Sequence, residues 1–128
     1  NLILGIGCKK DTREKDILEA IEASMEKHNL DMRSVKHIAT VDIKKDELGL
    51  VQAAKTLEKK LVIVSREEIK KVQDKFEGSD FVEKNIGVRA VSEPAAYLSS
   101  SRKGQFLERK AKYQGITISI YEEEIESE

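Results

Sequence analysis

The feature of this sequence that most constrains its fold is a series of short apolar runs separated by segments with helical periodicity. Residues 2–7 read Leu-Ile-Leu-Gly-Ile-Gly, Leu61–Val64 reads Leu-Val-Ile-Val, and a third run, Val35–Val41, ends in Ile-Ala-Thr-Val. The first two of these are apolar throughout, rather than at alternate positions, which is typical of parallel strands covered by helices on both faces, whereas the third is centred on its apolar end. The three runs therefore predict the strands of a parallel sheet.

Apolar residues between these runs recur at the spacing of buried helix faces. We predict a first helix that Asp11 or Thr12 caps and that ends near Asn29, and a second helix over residues 45–59. Ser65 and Glu68 match a capping box and predict the start of a third helix. The predicted inner faces are Ile17, Leu18, Ile21 and Met25 in the first helix, and Leu48, Val51, Ala54 and Leu57 in the second.

The second half of the chain predicts a different arrangement. Residues 75–87 contain several turn formers and predict an irregular segment, after which Ser92-Glu93-Pro94 predicts the start of a helix through Leu98. Residues 105–110 and 115–121 predict an antiparallel hairpin, and the acidic end, residues 122–128, is expected to be frayed or solvated. Together the elements predict a single α/β domain over residues 1–128, with three α/β/α layers and a mainly parallel mixed sheet ending in an antiparallel hairpin.

Composition excludes several classes of protein. Of 128 residues, 23 are Lys or Arg and 24 are Asp or Glu, so the net charge of −1 gives no reason to expect nucleic acid as a partner. No apolar stretch approaches the roughly 20 residues of a membrane span. With Cys8 as the sole cysteine, neither an internal disulfide nor a Cys-pair zinc motif can form, which favours the cytoplasm. The spacing of His28 and His37 matches no metal-ligand pattern, so we expect no metal site of protein side chains.

Polar segments follow each of the three parallel strands, at the edge where α/β sheets bind ligands. Residues 5–10, Gly-Ile-Gly-Cys-Lys-Lys, form a turn with two cations before a helix, which attracts carboxylates or phosphates, or else simply lets the strand turn. The segment also begins like a dinucleotide fingerprint, but Lys10 stands where a third glycine is needed. Cys8 is either a thiolate activated by the neighbouring lysines or a small buried apolar residue.

The segment after the second strand, Asp-Ile-Lys-Lys-Asp-Glu over residues 42–47, concentrates three carboxylates and two amines. In extended chain Asp42 and Lys44 point the same way. Asp46 and Glu47 are expected to open the next helix, where negative charge is favoured. This cluster could position water or bind a polar ligand, or it could consist of helix capping and ion pairs.

Three blocks in this order and spacing resemble the carboxy-terminal domain of the cobalamin-biosynthesis protein CbiG and the free-standing protein CobE. They are Gly5–Lys10, Thr40–Leu50 with its Asp-x-Lys-x-Asp-Glu-x-Gly-Leu pattern, and Gly87–Ala96. Lys110–Lys112 also resembles the family's basic stretch. The resemblance covers essentially the whole chain, and it implies that the chain is part of a longer protein with upstream CbiG domains.

The resemblance implies a hydrolase that opens the δ-lactone of cobalt-precorrin-5A and releases acetaldehyde during corrin ring contraction. Asp42, Asp46 or Glu93 would act as the base or position the water, and donors or cations would stabilise the oxyanion. Cobalt is expected inside the tetrapyrrole substrate, with no cofactor on protein side chains. The residues implied in substrate binding are Gly5, Gly7, Cys8, Lys9, Lys44, Glu47, Ser92, Lys110 and Lys112.

Other functions remain open at this stage. A CobE-like module would hold a tetrapyrrole intermediate without performing chemistry, and a scaffold would merely stabilise the rest of a longer CbiG. Nucleotide binding at Gly5–Lys10 is the alternative outside the family. The sequence alone does not identify the base among the three carboxylates.

Overall fold

A computed structural model describes residues 1–125 of the chain. Within this part, one sheet contains five strands in the order β3-β2-β1-β5-β4: β1 is Leu2–Cys8, β2 is Val35–Val41, β3 is Leu61–Val64, β4 is Gly104–Tyr113 and β5 is Ile116–Glu123. β2 pairs in parallel with β1 and β3, whereas β5 pairs antiparallel with β1 and β4. The predicted mixed sheet, mainly parallel and ending in a hairpin, is confirmed.

Five helices lie on the two faces of this sheet in the described part of the chain. They are α1 (Glu14–Lys27), α2 (Leu48–Thr56), α3 (Arg66–Val72), α4 (Asp80–Ile86) and α5 (Ser92–Leu98). The buried side of α1 packs with that of α2 on one face, and Ile69 of α3 packs with Ala95 and Ala96 of α5 on the other. The predicted three layers are therefore confirmed.

Side-chain alternation along β1 divides the core into two clusters. Leu2, Leu4 and Ile6 face α1 and α2, whereas Ile3 faces α3 and α5. All four side chains are at most 3% exposed. Because each side of the strand is covered, the sequence there is apolar at every non-glycine position. Burying such a side chain contributes about 1.5–3 kcal/mol.

Two predicted helix starts are wrong. The N-cap of α1 is Arg13, not Asp11 or Thr12, because the hydroxyl of Thr12 donates to the carbonyl of Lys9 and closes the preceding turn. α2 runs from Leu48 to Thr56 and not over residues 45–59, since a 3₁₀ turn first carries the chain away from β2. Ser65, by contrast, caps α3 as predicted by accepting the amide of Glu68.

The predicted inner face of α2 is also wrong in part. Leu48 is 69% exposed, while Leu50, Ala53 and Ala54 are the buried residues. A Cβ on Gly49 would lie 2.0 Å from the carbonyl oxygen of Thr12, so the helix begins in close backbone contact with the turn before α1. This contact sets the rotation of α2 and leaves Leu48 facing outward.

The structure corrects two further expectations in the second half of the chain. Residues 75–87 include helix α4, whose cap is the Ser79 hydroxyl and whose end is Gly87 at φ +94°. The acidic end is not wholly solvated, because β5 extends to Glu123 and that side chain is buried. Residues 126–128, which belong to the same expectation, lie outside the described residues.

Candidate functional site at the carboxyl edge of the sheet

The carboxyl ends of β1, β2 and β3 meet at one edge of the sheet, as expected for parallel strands. The hydroxyl of Thr40 donates to the carbonyl of Ile6 at 2.7 Å, one residue beyond the last paired position of β1 and β2. The turn into α5 lies over the same end of β1, since a Cβ on Gly7 would lie 3.5 Å from the side chain of Val91. Loops from both faces of the sheet therefore converge on this edge.

The first polar pair of the edge joins the end of β2 to the start of α3. The carboxylate of Asp42 accepts from Nε of Arg66 at 2.9 Å and from the backbone amide of Arg66 at 3.3 Å. Both side chains are partly exposed, at 33% for Asp42 and 43% for Arg66. Arg66 thus keeps part of its guanidinium in solvent, in a fixed orientation suited to a carboxylate ligand.

Lys44 belongs to a second cluster, because the 3₁₀ turn Asp42–Lys44 directs it away from Asp42. The expectation that Asp42 and Lys44 point the same way is wrong, since it assumed extended chain. The Lys44 side chain is 10% exposed, with its Nζ 3.8 Å from Oε1 of Glu47. Oε2 of Glu47 accepts the amide of Asp11 at 3.1 Å, which ties this segment to the turn after β1.

Cys8 lies beside this second cluster and packs against the α1 side of the core. Burial raises the pKa of its thiol to about 11, although the charge of Lys44 opposes the rise; Glu47 raises it further. A thiol with its pKa raised in this way is protonated at neutral pH, which disfavours an activated nucleophile. The alternative, a small apolar residue, agrees with its position.

Asp46 is the most accessible of the three predicted catalytic carboxylates. It is exposed, and no other described residue forms an ion pair or hydrogen bond with its side chain. It does not open α2 as expected, because that helix begins two residues later. Its carboxylate is therefore available to solvent water.

Gly5 and Gly7 have different surroundings. A Cβ on Gly5 would lie 1.9 Å from the carbonyl oxygen of Ser92, so this glycine allows α5 to pack closely on β1. The backbone of α5 occupies the space that a ligand would need there, which corrects the expectation that Gly5 lets a carboxylate approach. Gly7 has ordinary clearance and lies nearer the end of the strand.

Ser92 lies at the start of α5 in a buried hydrogen-bonded row. Its hydroxyl is 2.8 Å from that of Ser119 on β5, and the Ser119 oxygen also accepts the backbone amide of Lys110 at 3.0 Å. Ser92 is 3% exposed and Ser119 is fully buried. The row fixes α5 to the hairpin and leaves little access for a ligand.

Glu93, the next residue, is a buried carboxylate at 2% exposure. Its Oε2 accepts from Nη1 of Arg109 at 2.7 Å. Its Oε1 is also buried and has no hydrogen-bond partner among the described residues. A buried carboxylate oxygen without a partner is costly, and such positions often mark functional sites.

The three predicted lysines outside these clusters are spread over the hairpin and the β1–α1 turn. Lys9 is exposed, and its amide donates to the carbonyl of Gly115. Lys110, at φ +47° in an irregular part of β4, donates its ammonium to Glu77. Lys112 is exposed and pairs with Thr117, which in turn pairs with Gly7.

The structure thus gathers the predicted residues around one edge but not into one cluster. Lys44, Glu47 and Cys8 lie together on the α1 side, and Ser92 and Glu93 lie on the α5 side. Arg66 and Arg109 were missed. Arg66 follows a predicted strand, which could have indicated it, whereas nothing in the sequence links Arg109 to Glu93.

Three observations on other kinds of site come from the described residues. Between residues 1 and 125, no group of three or more His, Cys, Asp and Glu side chains could hold a metal ion. A shallow depression of about 630 Å³ lies beside the β1–α1 turn, and among the predicted site residues it contacts Lys9 alone. No helix over the same residues combines the length and apolarity that crossing a membrane requires.

These features define an α/β domain with a polar site at the carboxyl edge of a mixed sheet. The chain belongs to the family described as "Cobalamin synthesis G C-terminus", whose sequence model matches residues 2–121. The resemblance inferred from the three sequence blocks is therefore confirmed.

Two curated relatives share 35% identity with this chain over 119 residues, which is 93% of its length. One is the cobalt-precorrin-5A hydrolase of Salmonella typhimurium and the other the cobalt-precorrin-5A hydrolase of Priestia megaterium. The matches cover 33% and 31% of those proteins. The chain thus spans about a third of the length of these relatives.

Solved structures share the fold. CobE, a protein from the cobalamin biosynthetic pathway, aligns with a TM-score of 0.85 and 23% identity, over 94% of this chain and 88% of CobE. The cobalamin biosynthesis protein chiG from Agrobacterium tumefaciens aligns with a TM-score of 0.74 and 24% identity, over 96% of this chain and 98% of that protein. Both comparisons support the three-layer α/β fold.

Proposed function

We propose that this chain is the carboxy-terminal part of a cobalt-precorrin-5A hydrolase in cobalamin biosynthesis. The observation that carries the proposal is the family match over residues 2–121, together with 35% identity to relatives that bear this name. The proposed substrate is a cobalt-containing tetrapyrrole intermediate, and the proposed partner is the remainder of a longer protein, as in the relatives. We place the reaction in the cytoplasm.

The proposed chemistry begins with hydrolysis. Water adds to the carbonyl carbon of the δ-lactone, the ester C–O bond breaks, and the products are a carboxylate arm and a free hydroxyl. A base then takes the hydroxyl proton, the adjacent C–C bond breaks, and its electron pair passes to the macrocycle as acetaldehyde leaves. The protein must supply a base near neutral pH and donors for the oxyanion.

Among the three carboxylates, Asp46 is best placed to activate water. It is exposed and has no partner among the described residues, whereas Asp42 is engaged by Arg66 and Glu93 by Arg109. In this proposal Asp42 is a positioning residue that fixes the guanidinium of Arg66. That guanidinium would bind a carboxylate arm or the developing oxyanion.

Cations around the edge suit the many carboxylate arms of the substrate. Lys9 and Lys112 are exposed, and both lie near the carboxyl end of β1. Lys9 directly follows that strand and donates its amide to Gly115, and Lys112 pairs with Thr117, which pairs with Gly7. Lys44 is nearly buried next to Glu47, which suits it to a short-range role at the reacting group and not to a flexible arm.

The test is acetaldehyde release from cobalt-precorrin-5A. The assay uses the chain alone and a chimera in which it replaces the matching third of the Salmonella typhimurium protein. We expect the chimera to release one acetaldehyde per substrate consumed. Binding of substrate without release, in a chimera whose parent is active, would contradict the hydrolase proposal and favour a non-catalytic binding module.

A further inference from the structure

A second concave surface lies on the α5 side of the hairpin, away from the β1–α1 turn. This groove has a volume of about 450 Å³, within the range of small-molecule sites. Its walls come from β4, β5, the end of α5 and the segment before α4. None of the carboxylates discussed above lines it.

One wall of the groove is aromatic. Phe76, Tyr97, Phe106 and Tyr121 contact one another edge to face, with ring centroids 4.9 Å apart for Phe106 and Tyr121 and 5.9 Å apart for Phe76 and Tyr97. Tyr121 is buried, whereas the other three rings are partly exposed. The protein has six Phe and Tyr residues and no Trp, so two-thirds of these rings line one groove.

Among residues 1–125, the charged side chains that line the groove are all cationic. They are Lys75, Arg102 and Arg109, although the whole chain carries a net charge of −1. The guanidinium carbon of Arg109 lies 4.4 Å from the centroid of Phe106, and Nζ of Lys75 lies 5.4 Å from that of Tyr97. These cations therefore lie over the faces of two partly exposed rings.

Arg109 connects this groove to the start of α5. One of its nitrogens donates to Glu93, while its side chain as a whole is 59% exposed. These contacts fix the plane of the guanidinium. Its other N–H groups can donate to a ligand, as in bidentate recognition of carboxylates.

We infer that this groove binds one face of a flat, conjugated macrocycle and the carboxylate arms at its rim. Aromatic and guanidinium planes suit the conjugated face, and the cations suit anionic arms, since only Arg109 of the three has a carboxylate partner among the described residues. The inference rests on the proposed function, because it assigns a contact surface to the tetrapyrrole substrate class. It adds Lys75, Arg102, Arg109 and Phe106 to the residues that determine affinity.

The first test measures binding of dicyanocobyrinic acid, a corrin with seven carboxylate arms, followed by absorbance and tyrosine fluorescence. The groove variant is Lys75→Glu with Arg102→Asp, since aspartate tolerates the positive φ of +66° at Arg102. The matched control is Lys15→Glu with Lys55→Glu, which reverses two exposed cations on α1 and α2, on the other face of the sheet. We expect the groove variant to bind at least about tenfold more weakly and the control to stay within about twofold.

A second probe separates charge from stacking. Dicyanocobinamide presents the same ring with neutral amide arms, so its affinity should be weaker and insensitive to the charge reversal. Phe106→Leu should weaken both probes, because it removes the ring face and not a charge. Equal binding of both probes by the wild-type chain, or no binding of either, would overturn the inference.

The outcomes distinguish this inference from the proposed function. Loss of corrin binding in the groove variant, in a chimera that releases no acetaldehyde, would support the groove and refute the hydrolase. Normal acetaldehyde release and normal probe binding by the groove variant would refute the groove and leave the hydrolase intact. Circular dichroism of each variant checks that the fold is retained.

Discussion

The buried carboxylate of Glu93 accepts a 2.7 Å hydrogen bond from the guanidinium of Arg109, whose side chain is 59% exposed. The pair therefore joins a core position at the start of α5 to an accessible cation on β4. Because the second oxygen of Glu93 has no partner among the described residues, Arg109 is the main compensation for this buried charge. Removing Arg109 should therefore lower the stability of the protein more than neutralising Glu93 does.

The first prediction concerns that asymmetry. Arg109→Ala should lower the free energy of unfolding by about 1–3 kcal/mol, because it leaves a buried carboxylate unpaired. Adding Glu93→Gln to that variant should restore part of the loss, since a neutral amide is cheaper to bury than a charge. Urea denaturation of the two single variants and the double variant measures the coupling, and purely additive effects would contradict it.

The second prediction compares two glycines on one strand. Gly5→Ala should destabilise the protein by about 1–3 kcal/mol or more, since its Cβ would lie 1.9 Å from the backbone oxygen of Ser92. Gly7→Ala is the matched control, with 3.5 Å to the nearest side-chain atom, and should be tolerated. Thermal unfolding of both variants decides the matter, and equal melting temperatures would show that α5 does not pack rigidly on Gly5.

The third prediction is a pH dependence at the end of α1. Hydrogen bonding from Lys27 lowers the pKa of Glu108, against the effect of burial, and His28 lowers it further. Since the folded pKa lies below the unfolded one, the stabilisation is present above the unfolded value and is lost as the pH falls through the folded value. Glu108→Gln should therefore cost about 0.5–1 kcal/mol at pH 7 and much less near pH 3.

Chemical denaturation of wild type and Glu108→Gln at these two pH values measures that difference. Glu22→Gln, at an exposed position on α1, serves as the control for a general change in charge. A difference of the same size at both pH values would mean that the carboxylate form of Glu108 contributes nothing specific.

The fourth prediction concerns the thiol of Cys8. With a pKa of about 11, raised mainly by burial, the folded protein holds far less thiolate at pH 8 than the unfolded chain. Two pKa units correspond to roughly 100-fold less thiolate, so alkylation by iodoacetamide should slow by about that factor. Mass spectrometry in native buffer and in urea compares the rates, and rapid native labelling would restore a reactive thiol as a candidate.

The sequence predicted the architecture because strand runs and the helical period of α1 are local signals. Leu2–Cys8 is covered on both faces as its apolar run predicts, whereas Leu61–Val64, equally apolar, is an edge strand that leaves Ile63 39% exposed. The exposed position of Leu48 was not predictable, because it depends on the contact between Gly49 and Thr12 across 37 residues of chain. Local periodicity contains no information about such a contact.

The sequence predicted which edge of the sheet carries the candidate site, but not the contacts between its side chains. Parallel strands place their carboxyl ends together, so Asp42 and the turn after β1 had to be near one another. The direction of Lys44 depended on a 3₁₀ turn, and the partners of Asp42 and Glu93 come from 24 and 16 residues further along the chain. Both partners are arginines in a chain rich in cations, so nothing distinguished them in advance.

The most direct test of the central claim uses the chimera described above with its three candidate carboxylates changed singly. Asp46→Asn should lower the rate of acetaldehyde release by at least about 100-fold with little effect on substrate affinity, as for loss of a general base. Asp42→Asn should mainly weaken substrate binding through Arg66, and Glu93→Gln should mainly lower stability. Full acetaldehyde release by Asp46→Asn and Asp42→Asn alike would contradict a catalytic site at this edge of the sheet.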